Sequence, residues 1–513
     1  MSTTKVKKYK YTFFYPDFEY GVDENTEIKI NKIKVDKQGG WYNEGMAQLG
    51  SIIENAGWEV DLVDILYPYP KEKILEEIEK RKPDVIGIGV RTDVYQYCEK
   101  LAGWLAGKGI HVMAGSYHAS LFPEKVINWK GIDSLIVGEA ELPMMEFLKR
   151  WPNLGDYKIG SFWFKTKNGN IIKNKPIGLI EDLDTLPLPK FDLFDFENLL
   201  SSRSNSVIAL ITRGCPYKCT YCWNNYHSSI YPKGVKYVRY RSAKNAIEYL
   251  KGLMNTFPKV ERFRFLDDIL PVYQSWRNEL KELYLREVNI PFSCNYRANF
   301  MDEATAKFLK EMGCIYIFFG VESGNQEILD KVLKRNLKKE VVVKAFKACK
   351  KVGIKIGSYN MVGLPFETPK TALDTIKFNA ILKPNHIFAG IYCPYPKTEL
   401  DEMSINAGFY DPEKPRKKYV NVQMKDYKED MILFNMCYFR EFKNMYMIAY
   451  IFPKPISTIL EKFIDSIYYS KLVPRNFLSA LKLKVREVRG NIYYYIKYNF
   501  PFLYRTGQHL LGK

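Results

Sequence analysis

The sequence predicts an α/β protein made of a doubly wound parallel sheet, a partial barrel of six β/α units and a mainly helical carboxyl-terminal region. Strand and helix patterns alternate twice along the chain, over the first 150 residues and again from Ser206 to about Leu400. The length of 513 residues also exceeds what one hydrophobic core usually supports. We therefore expect an α/β domain at 1–155, a hairpin and linker at 156–200, the barrel at 201–405 and the helical region at 406–513.

In the first domain, short apolar runs alternate with amphipathic helical patterns. The predicted strands are Tyr9–Tyr15, Glu59–Val63, Asp84–Val90, His111–Met113 and Ser134–Val137. The predicted helices are Gly45–Gly57, Lys71–Lys82, Tyr95–Lys108 and Leu142–Arg150. This order implies a Rossmann-like parallel sheet that binds ligands at the carboxyl ends of its strands.

The segment after the first domain has a different sequence pattern. Residues 161–174 form two strand-like runs around Asn168-Gly169, which is the signature of a β-hairpin. Residues 175–196 are rich in Pro and Asp and have no helical period, so we predict an interdomain linker there.

The barrel pattern then begins. Its predicted strands are 207–213, 262–267, 292–298, 315–320, 354–362 and 386–392. The predicted helices between and around them are 243–255, 275–287, 302–312, 326–333, 339–352 and 370–382. In such barrels the chemistry takes place at the carboxyl ends of the strands.

Composition excludes several classes of protein. Nine cysteines in 60.1 kDa are too few for a disulfide framework, and the amino terminus has no hydrophobic signal-peptide run. No apolar run reaches the roughly 18 residues of a membrane span. We therefore predict a cytoplasmic protein that does not cross a membrane.

The net charge of +19 fits nucleic acid, an anionic membrane surface or an anionic substrate equally well. Residues 411–513 hold 19 Lys and Arg against 9 Asp and Glu, so about half of the excess lies there. No nucleic-acid recognition module is evident, which disfavours a nucleic-acid partner.

Three cysteines, Cys215, Cys219 and Cys222, follow the first predicted barrel strand within eight positions. Thiolates bind soft metals, and a set of three leaves one coordination position open. A structural zinc site needs four ligands, and His227 is the candidate for the fourth. The position on a barrel rim and the absence of a second paired cysteine spacing favour the open site over zinc.

The Cys-x3-Cys-x2-Cys spacing, with Tyr221 before the last cysteine, resembles the signature of radical S-adenosylmethionine (radical SAM) enzymes. The resemblance implies that the three thiolates hold a 4Fe-4S cluster whose fourth iron is chelated by S-adenosylmethionine. It also implies that one electron from an external donor generates a 5′-deoxyadenosyl radical, which abstracts hydrogen from an unactivated carbon.

Further motifs resemble the branch of this family that carries an amino-terminal cobalamin-binding domain. By resemblance, Asp267 and Asp268 accept hydrogen bonds from the methionine ammonium, and Arg297 and Glu322 contact the ribose or methionine portion of the cofactor. Ser323 belongs to the same Glu-Ser-Gly motif.

Two more motifs follow the fifth and sixth strands. Gly363, in the Gly-Leu-Pro-Phe-Glu run that ends at Glu367, is expected to let the backbone approach the cofactor closely. Lys397 stands where the family usually has the glycine of Pro-Tyr-Pro-Gly-Thr, so we expect a different substrate entrance.

The first domain resembles the cobalamin-binding module through its Gly115, His118 and Gly138 segments. It lacks the Asp-x-His-x-x-Gly motif, so we do not expect a histidine ligand to cobalt in that manner. His118 is placed in a loop facing the corrin, where a surface position or a loop hydrogen bond is favoured over cobalt ligation. Ala114-Gly115, Gly138-Glu139-Ala140-Glu141 and Arg91 depart from the family's usual residues.

The carboxyl-terminal region predicts an amphipathic helix with an apolar stripe and a basic remainder. The stripe is Phe477, Leu478, Leu481, Val485 and Val488, and the cations are Lys482, Lys484, Arg486 and Arg489. Such a helix suits peripheral contact with the inner face of a membrane. The alternative is that the stripe caps the barrel while the cations face water.

Together these features predict a cobalamin-dependent radical SAM enzyme that methylates an unactivated carbon of a small molecule or lipid. A radical rearrangement, cyclisation or oxidation without methyl transfer stays open. Methylthiolation of tRNA fits poorly, because a second three-cysteine set is missing. A zinc-stabilised nucleic-acid-binding protein is the non-enzyme alternative. The sequence assigns no catalytic acid or base.

Overall fold

A computed structural model describes residues 8–18, 40–197, 199, 202, 205–270, 274–414, 417, 419–500 and 502, with backbone only at 274, 487, 490, 491, 493–495 and 497–499. The chain forms two compact units. The first comprises 1–214, 227–261 and 278–283, and the second comprises 215–226, 262–277 and 284–513.

The first unit contains a seven-stranded sheet in the order β2-β1-β3-β4-β5-β6-β7. Its strands are β1 (Lys10–Pro16), β2 (Glu59–Ile65), β3 (Val85–Gly89), β4 (His111–Gly115), β5 (Ser134–Ile136), β6 (Phe162–Lys165) and β7 (Ile171–Lys173). The first five are parallel, whereas β6 and β7 pair antiparallel. The predicted hairpin therefore forms, and it extends the sheet at one edge.

Six helices cover or follow these strands: α1 (Glu44–Asn55), α2 (Lys71–Arg81), α3 (Tyr95–Leu105), α4 (Ser116–Leu121), α5 (Pro123–Ile127) and α6 (Glu141–Arg150). Strand β3 is buried along its whole length because helices pack on both faces of a parallel sheet. Gly87 is needed within it, since a Cβ there would lie 2.0 Å from the Tyr11 hydroxyl.

The predicted linker is packed rather than extended. It contains short 3-10 turns at Leu183–Thr185 and Phe191–Leu193, and both Leu183 and Phe191 are buried. The Gln48 side chain of α1 donates a hydrogen bond to the Pro187 carbonyl (2.8 Å). Buried apolar side chains along the linker thus hold this segment within the first unit.

The barrel segment begins with β8 (Ser206–Ala209), β9 (Thr212–Arg213), helix α7 (Trp223–Ser229), β10 (Arg239–Tyr240) and helix α8 (Ala243–Thr256). It continues with β11 (Arg262–Phe265), α9 (Gln274–Glu287), β12 (Phe292–Tyr296), α10 (Glu303–Glu311), β13 (Cys314–Glu322), α11 (Lys339–Lys351), β14 (Lys355–Val362), α12 (Pro369–Leu382) and β15 (His386–Ile391). All six predicted barrel strands are present.

Five of these strands lie in the second unit as parallel neighbours in the order β15-β14-β13-β12-β11. The predicted helix after β13 is a single π-helical turn at Ile328–Val332. The register between β13 and β14 shifts at Gly320 and Glu322, which is the geometry of a β-bulge. Bulges of this kind redirect a side chain next to a site.

The carboxyl-terminal region is helical, as predicted. It consists of α13 (Glu399–Asn406), α14 (Glu429–Ala449), α15 (Ile456–Tyr469) and α16 (Arg475–Asn499). Apolar residues of α14, such as Ile432 and Phe434, share one core cluster with Leu373 and Ile376 of α12. Among the described residues, no helix is both long enough and apolar enough to cross a bilayer.

The interpretation that the predicted apolar residues at 477–488 cap the barrel is wrong for four of the five. Phe477, Leu481, Val485 and Val488 are exposed, and Leu478 alone packs against the core. The side of α16 that meets α14 is instead polar.

Candidate active site

The three cysteines lie on a loop that Thr220 anchors within the second unit. Its hydroxyl donates to the Val332 carbonyl (2.7 Å), its amide donates to Leu333 (3.3 Å), and its carbonyl accepts from the Leu400 amide (2.9 Å). Cys219 is buried, whereas Cys215 and Cys222 are half-buried. The loop is therefore fixed by the contacts of Thr220, while Cys215 and Cys222 stay partly accessible.

Burial and neighbouring acidic groups both raise the pKa of thiols in this loop. Burial, followed by the charges of Asp268 and the other two cysteines, raises the pKa of the Cys215 thiol to about 11. Burial and Asp268 also raise the pKa of Cys222. A bound metal ion stabilises thiolates in such surroundings, because its positive charge offsets theirs.

The structure does not complete the zinc site. The two ring nitrogens of His227 face the hydroxyls of Tyr237 (2.9 Å) and Tyr231 (3.0 Å). Within the described part of the chain, no group of three or more His, Cys, Asp or Glu is arranged to hold a single metal ion. His227 is therefore not the fourth ligand of a zinc site.

Arg297 lies directly against the cysteine loop. Its Nη1 donates to the Cys219 Sγ (3.8 Å), and its guanidinium stacks on the Tyr217 ring at 3.5 Å from the ring centre. It is buried and also donates to the side chain of Asn299 (3.0 Å). The resemblance implies a cofactor contact for Arg297, and the structure adds a contact with a cluster cysteine.

Glu322, Tyr221 and Arg335 form a buried triad beside the same loop. Glu322 Oε1 accepts from Tyr221 (3.3 Å) and from Arg335 Nη1 (3.4 Å), and Arg335 also donates to the Gly320 carbonyl (2.7 Å). Burial raises the pKa of Glu322, and the Arg335 charge opposes that shift. Glu322 has a φ of 62°, a strained conformation that often marks a functional site.

Gly320 permits this triad. A Cβ at Gly320 would lie 2.4 Å from Glu322 Oε1 and 3.0 Å from Arg335 Nη2. The sequence did not predict Arg335, because it follows a π-helical turn and belongs to no recognisable motif. The one available signal was a basic residue shortly after the Glu-Ser-Gly motif.

The two aspartates after β11 differ in environment. Asp267 is buried, whereas Asp268 is exposed and acts electrostatically on Cys215 and Cys222. Asp268 therefore belongs to the cysteine site.

Ser323 lies in the interior at the end of β13. It is fully buried, its hydroxyl lies 3.4 Å from the Thr375 hydroxyl, and it accepts from the Asn325 amide (3.2 Å). The hydroxyl thus holds the end of β13 against α12, and the assignment of Ser323 to the cofactor site stays a prediction.

Gly363 serves packing as well as backbone geometry. It has a φ of 71°, and a Cβ there would lie 2.9 Å from Ile432 of α14. Its amide and that of Leu364 donate to Glu367 Oε2 (2.7 and 3.2 Å). Burial raises the pKa of Glu367 to about 8, so this carboxyl closes the turn largely in its protonated form at neutral pH.

In the first unit, the three predicted cobalamin residues lie at or just after the carboxyl ends of β4 and β5. Gly115 ends β4, and a Cβ there would meet open space. Gly138 follows β5 with a φ of 91°, and a Cβ there would lie 2.5 Å from the Tyr231 hydroxyl. Its amide donates to Ser120 (3.0 Å).

His118 is placed differently from the prediction. It lies in α4 rather than in a loop, and it is buried. Its ring stacks on Tyr95 (4.5 Å, 13°) and approaches Phe122 and Trp129. Enclosure by aromatic rings makes it a core histidine and not a surface residue.

Glu139 is the centre of an ion-pair network that the sequence did not predict. Both of its oxygens accept from Arg239 (2.5 and 3.0 Å), and Arg213 bonds Glu139 (3.2 Å) and Glu141 (2.6 Å). Burial raises the pKa of Glu139, but the two arginines outweigh it and hold the pKa below its usual value. These acids of the Gly-Glu-Ala-Glu segment therefore position the loop after β5.

Comparison with known families decides the identity. The sequence matches the Radical SAM superfamily model over residues 209–378 and the B12 binding domain model over residues 33–148. The chain is a cobalamin-binding radical SAM enzyme. Both matches lie where the cysteine loop and the sheet edge with Gly115 and Gly138 are found.

Several curated relatives of this radical SAM enzyme are named as methyltransferases or methylases. It is 28% identical to an uncharacterized methyltransferase of Pyrococcus horikoshii, over 70% of this chain and 78% of the relative. It is 25% identical to the bacteriochlorophyllide d C-8(2)-methyltransferase of Chlorobaculum tepidum (62% and 67% coverage). It is 22% identical to the hopanoid C-3 methylase of Methylococcus capsulatus (69% and 67% coverage).

A solved structure supports the fold. OxsB, a cobalamin-dependent S-adenosylmethionine radical enzyme with aqua-cobalamin and S-adenosylmethionine bound, matches with a TM-score of 0.64. The match covers 90% of this chain and 71% of OxsB at 14% identity. The predicted fold class is confirmed, and the matched Radical SAM and B12 binding domains imply a 4Fe-4S cluster, S-adenosylmethionine and cobalamin as cofactors.

Proposed function

We propose that this enzyme transfers a methyl group to an unactivated carbon of an apolar small molecule or lipid. One observation carries the proposal: a Cys-x3-Cys-x2-Cys loop inside a matched Radical SAM domain, in a chain that also has a B12 binding domain. The relatives named for C-8(2) and C-3 methylation support a carbon acceptor.

We assign the residues of the second unit to the cluster and to S-adenosylmethionine. Cys215, Cys219 and Cys222 hold iron, and Arg297 balances the negative charge of the bound thiolates. Asp267, Asp268 and Glu322 offer oxygens to the cationic methionine portion. Ser323 and Gly363 position the turns that carry these groups.

We assign Gly115 and Gly138 to cobalamin contact, with His118 supporting the loop from the core. When bound, cobalamin supplies the methyl group and the cluster-bound S-adenosylmethionine supplies the radical. The predicted boundaries at 155, 200 and 405 stay part of this proposal.

An aromatic surface within the second unit supports an apolar substrate. Tyr316 and Phe318 of β13 stack (4.7 Å, 20°), Phe318 stacks on Tyr359 of β14 (5.6 Å, 23°), and Tyr359 contacts Phe388 of β15 (5.2 Å). Phe388 is 41% exposed. The alternate residues of β15, including Ile387, pack on the opposite side against the core, so the aromatic face is left for a ligand.

The proposed partners are this apolar substrate, an external electron donor and, through the carboxyl-terminal region, a membrane surface. We place the enzyme in the cytoplasm, at the inner face of the membrane. Nucleic acid is not among the proposed partners.

Methyl transfer is tested on the anaerobically reconstituted enzyme. Incubation with S-adenosylmethionine carrying a CD₃ group and a lipid or metabolite extract is expected to give a product heavier by one CD₃ group. A product that gains no label while S-adenosylmethionine is cleaved would favour rearrangement, cyclisation or oxidation instead. Cys219→Ala must abolish both reactions, whereas Cys393→Ser, which alters an exposed cysteine outside the loop, should leave iron content unchanged.

A further inference from the structure

The two last helices present apolar side chains to solvent. On α15, Ile456, Ile459 and Phe463 are exposed at spacings of three and four residues, with exposed fractions of 63% for Ile459 and 61% for Phe463. We call these three residues the α15 face. Surfaces of this kind mark an interaction site, since single exposed apolar residues are common but periodic rows are not.

A longer row runs along α16. The α16 stripe consists of Phe477, Leu481, Val485, Val488, Ile492 and Ile496, all exposed and spaced by three or four residues. A helix of 25 residues is about 37 Å long. The stripe extends over most of that length, which suits a helix lying in the plane of an interface.

Polar contacts fix the orientation of α16. The Lys482 ammonium lies over the Tyr438 ring of α14 (4.2 Å) and pairs with Glu441. Arg486 donates to the Cys437 carbonyl (3.1 Å), and the Tyr438 hydroxyl donates to the Leu478 carbonyl (3.2 Å). Because these bonds hold the other side of the helix against α14, the stripe is directed outward by the fold.

The acidic and basic side chains of this region also face different sides. The two acids of α15 turn inward, where Lys377 donates to Glu461 (2.8 Å) and to Asp465 (3.0 Å). Lys462 on the same helix is exposed. From Tyr450 to Lys513 the sequence holds 11 Lys and Arg against 3 Asp and Glu, and Lys454, Lys471, Lys484 and Arg489 are also exposed.

We infer that the α15 face and the α16 stripe insert into the headgroup region of an anionic bilayer leaflet. Apolar side chains enter the acyl boundary while neighbouring cations meet lipid phosphates. The inference rests on the membrane partner proposed above. It adds which residues of the enzyme contact the membrane and that the lipid must be anionic. A second copy of the chain is a poorer occupant, because it would bring the same cations together.

Vesicle flotation tests the inference with the reconstituted full-length enzyme. Wild type is expected to float with vesicles of phosphatidylcholine and phosphatidylglycerol, and at least tenfold less with phosphatidylcholine alone. Two double variants, Ile459→Gln with Phe463→Gln and Leu481→Gln with Val485→Gln, are each expected to reduce the bound fraction about tenfold. Lys462→Glu with Lys484→Glu should abolish the preference for anionic lipid.

Matched controls come from the same unit. Ile381→Gln removes an apolar side chain on α12 that is 56% exposed, and Lys344→Glu with Lys347→Glu reverses two exposed charges on α11. Both controls should float as wild type does. Circular dichroism melts of all variants check that the fold persists.

The outcomes separate the two proposals. Wild type that stays at the bottom of the gradient, or α15 and α16 variants that float like the controls, overturns the membrane surface. If instead sedimentation shows a vesicle-independent dimer that the same variants dissociate, the surface binds a second copy. Cleavage of S-adenosylmethionine is measured in parallel without vesicles, so its loss reports on the proposed enzyme function and not on membrane binding.

Discussion

Two buried arginines set the charge around the three cysteines. Arg297 contacts Cys219, and Arg335 contacts Tyr221 and Glu322. In a poorly solvated site such charges are felt strongly by neighbouring thiolates and carboxylates. We therefore expect the arginines to determine how firmly iron is held and how readily the cluster accepts an electron.

Replacing Arg297 by Leu should weaken cluster retention and make the cluster harder to reduce. Loss of a positive charge and of an N–H donor to sulfur lowers the reduction potential, by on the order of 50 mV. Iron and sulfide content and a redox titration followed by electron paramagnetic resonance measure both effects. Arg297→Lys, which keeps the charge, should recover part of the shift. Unchanged potential in Arg297→Leu would show that this contact does not influence the cluster.

Replacing Arg335 by Met should destabilise the fold by about 3–5 kcal/mol, because the Glu322 carboxylate is left buried without its charge partner. Urea unfolding measures the change in the free energy of unfolding. Adding Glu322→Gln to that variant should restore part of the loss, since it removes the uncompensated charge. If the double variant is as unstable as the two losses added together, the pair is not energetically coupled.

At the scale of elements, turns and strand ends carry most of the site. The sequence predicted the strands, because buried β-branched runs identify them, and it placed the cysteine loop after the correct strand. It did not predict that Ser323 binds Thr375, that His118 lies in a helix, or that Gly363 makes room for Ile432. Those contacts join residues far apart in sequence, so no local pattern contains them.

The turn after β14 should make stability depend on pH. The folded-state pKa of Glu367, about 8, lies above the ordinary value of 4.5. Between pH 4.5 and pH 8, the folded state therefore keeps a proton that the unfolded state has lost. The contribution of this proton to the free energy of unfolding is therefore complete below about pH 4.5 and is lost as pH rises through 8. The whole contribution is on the order of 4 kcal/mol. Urea unfolding at pH 4 and at pH 9 measures it. Glu367→Gln keeps an acceptor for both amides and should flatten this dependence.

The loops after β4 and β5 should respond differently to one added methyl group. Gly138→Ala places a Cβ against Tyr231 at a left-handed backbone position, which costs roughly 1–2 kcal/mol and should displace the loop. Gly115→Ala meets open space and should leave stability unchanged. Thermal melts and cobalt content after loading with cobalamin measure both effects. Equal stability of the two variants would contradict the crowding at Gly138.

At the scale of the whole molecule, each set of proposed cofactor residues belongs to one compact unit. The cysteines, Arg297 and Glu322 lie in the second unit, and Gly115 and Gly138 lie in the first. The sequence assigned the two sets to two separate runs of strand and helix, but the first unit also includes 227–261 and 278–283 of the predicted barrel. It did not predict that polar contacts would turn the α16 stripe outward, because an amphipathic pattern does not say which face meets the protein.

Because the two sites share no residue, loss of one cofactor should leave binding of the other intact. The triple variant Cys215→Ala, Cys219→Ala, Cys222→Ala should lose its iron and sulfide and still retain cobalamin, since all three cysteines belong to the second unit. Gly138→Ala should lose cobalamin and keep about the iron content of wild type. Metal analysis of both proteins after the same anaerobic reconstitution and cobalamin loading measures the four quantities. If the triple variant also fails to retain cobalamin while its melting temperature is unchanged, the two sites depend on each other, and the assignment of each cofactor to the residues of a single unit is wrong.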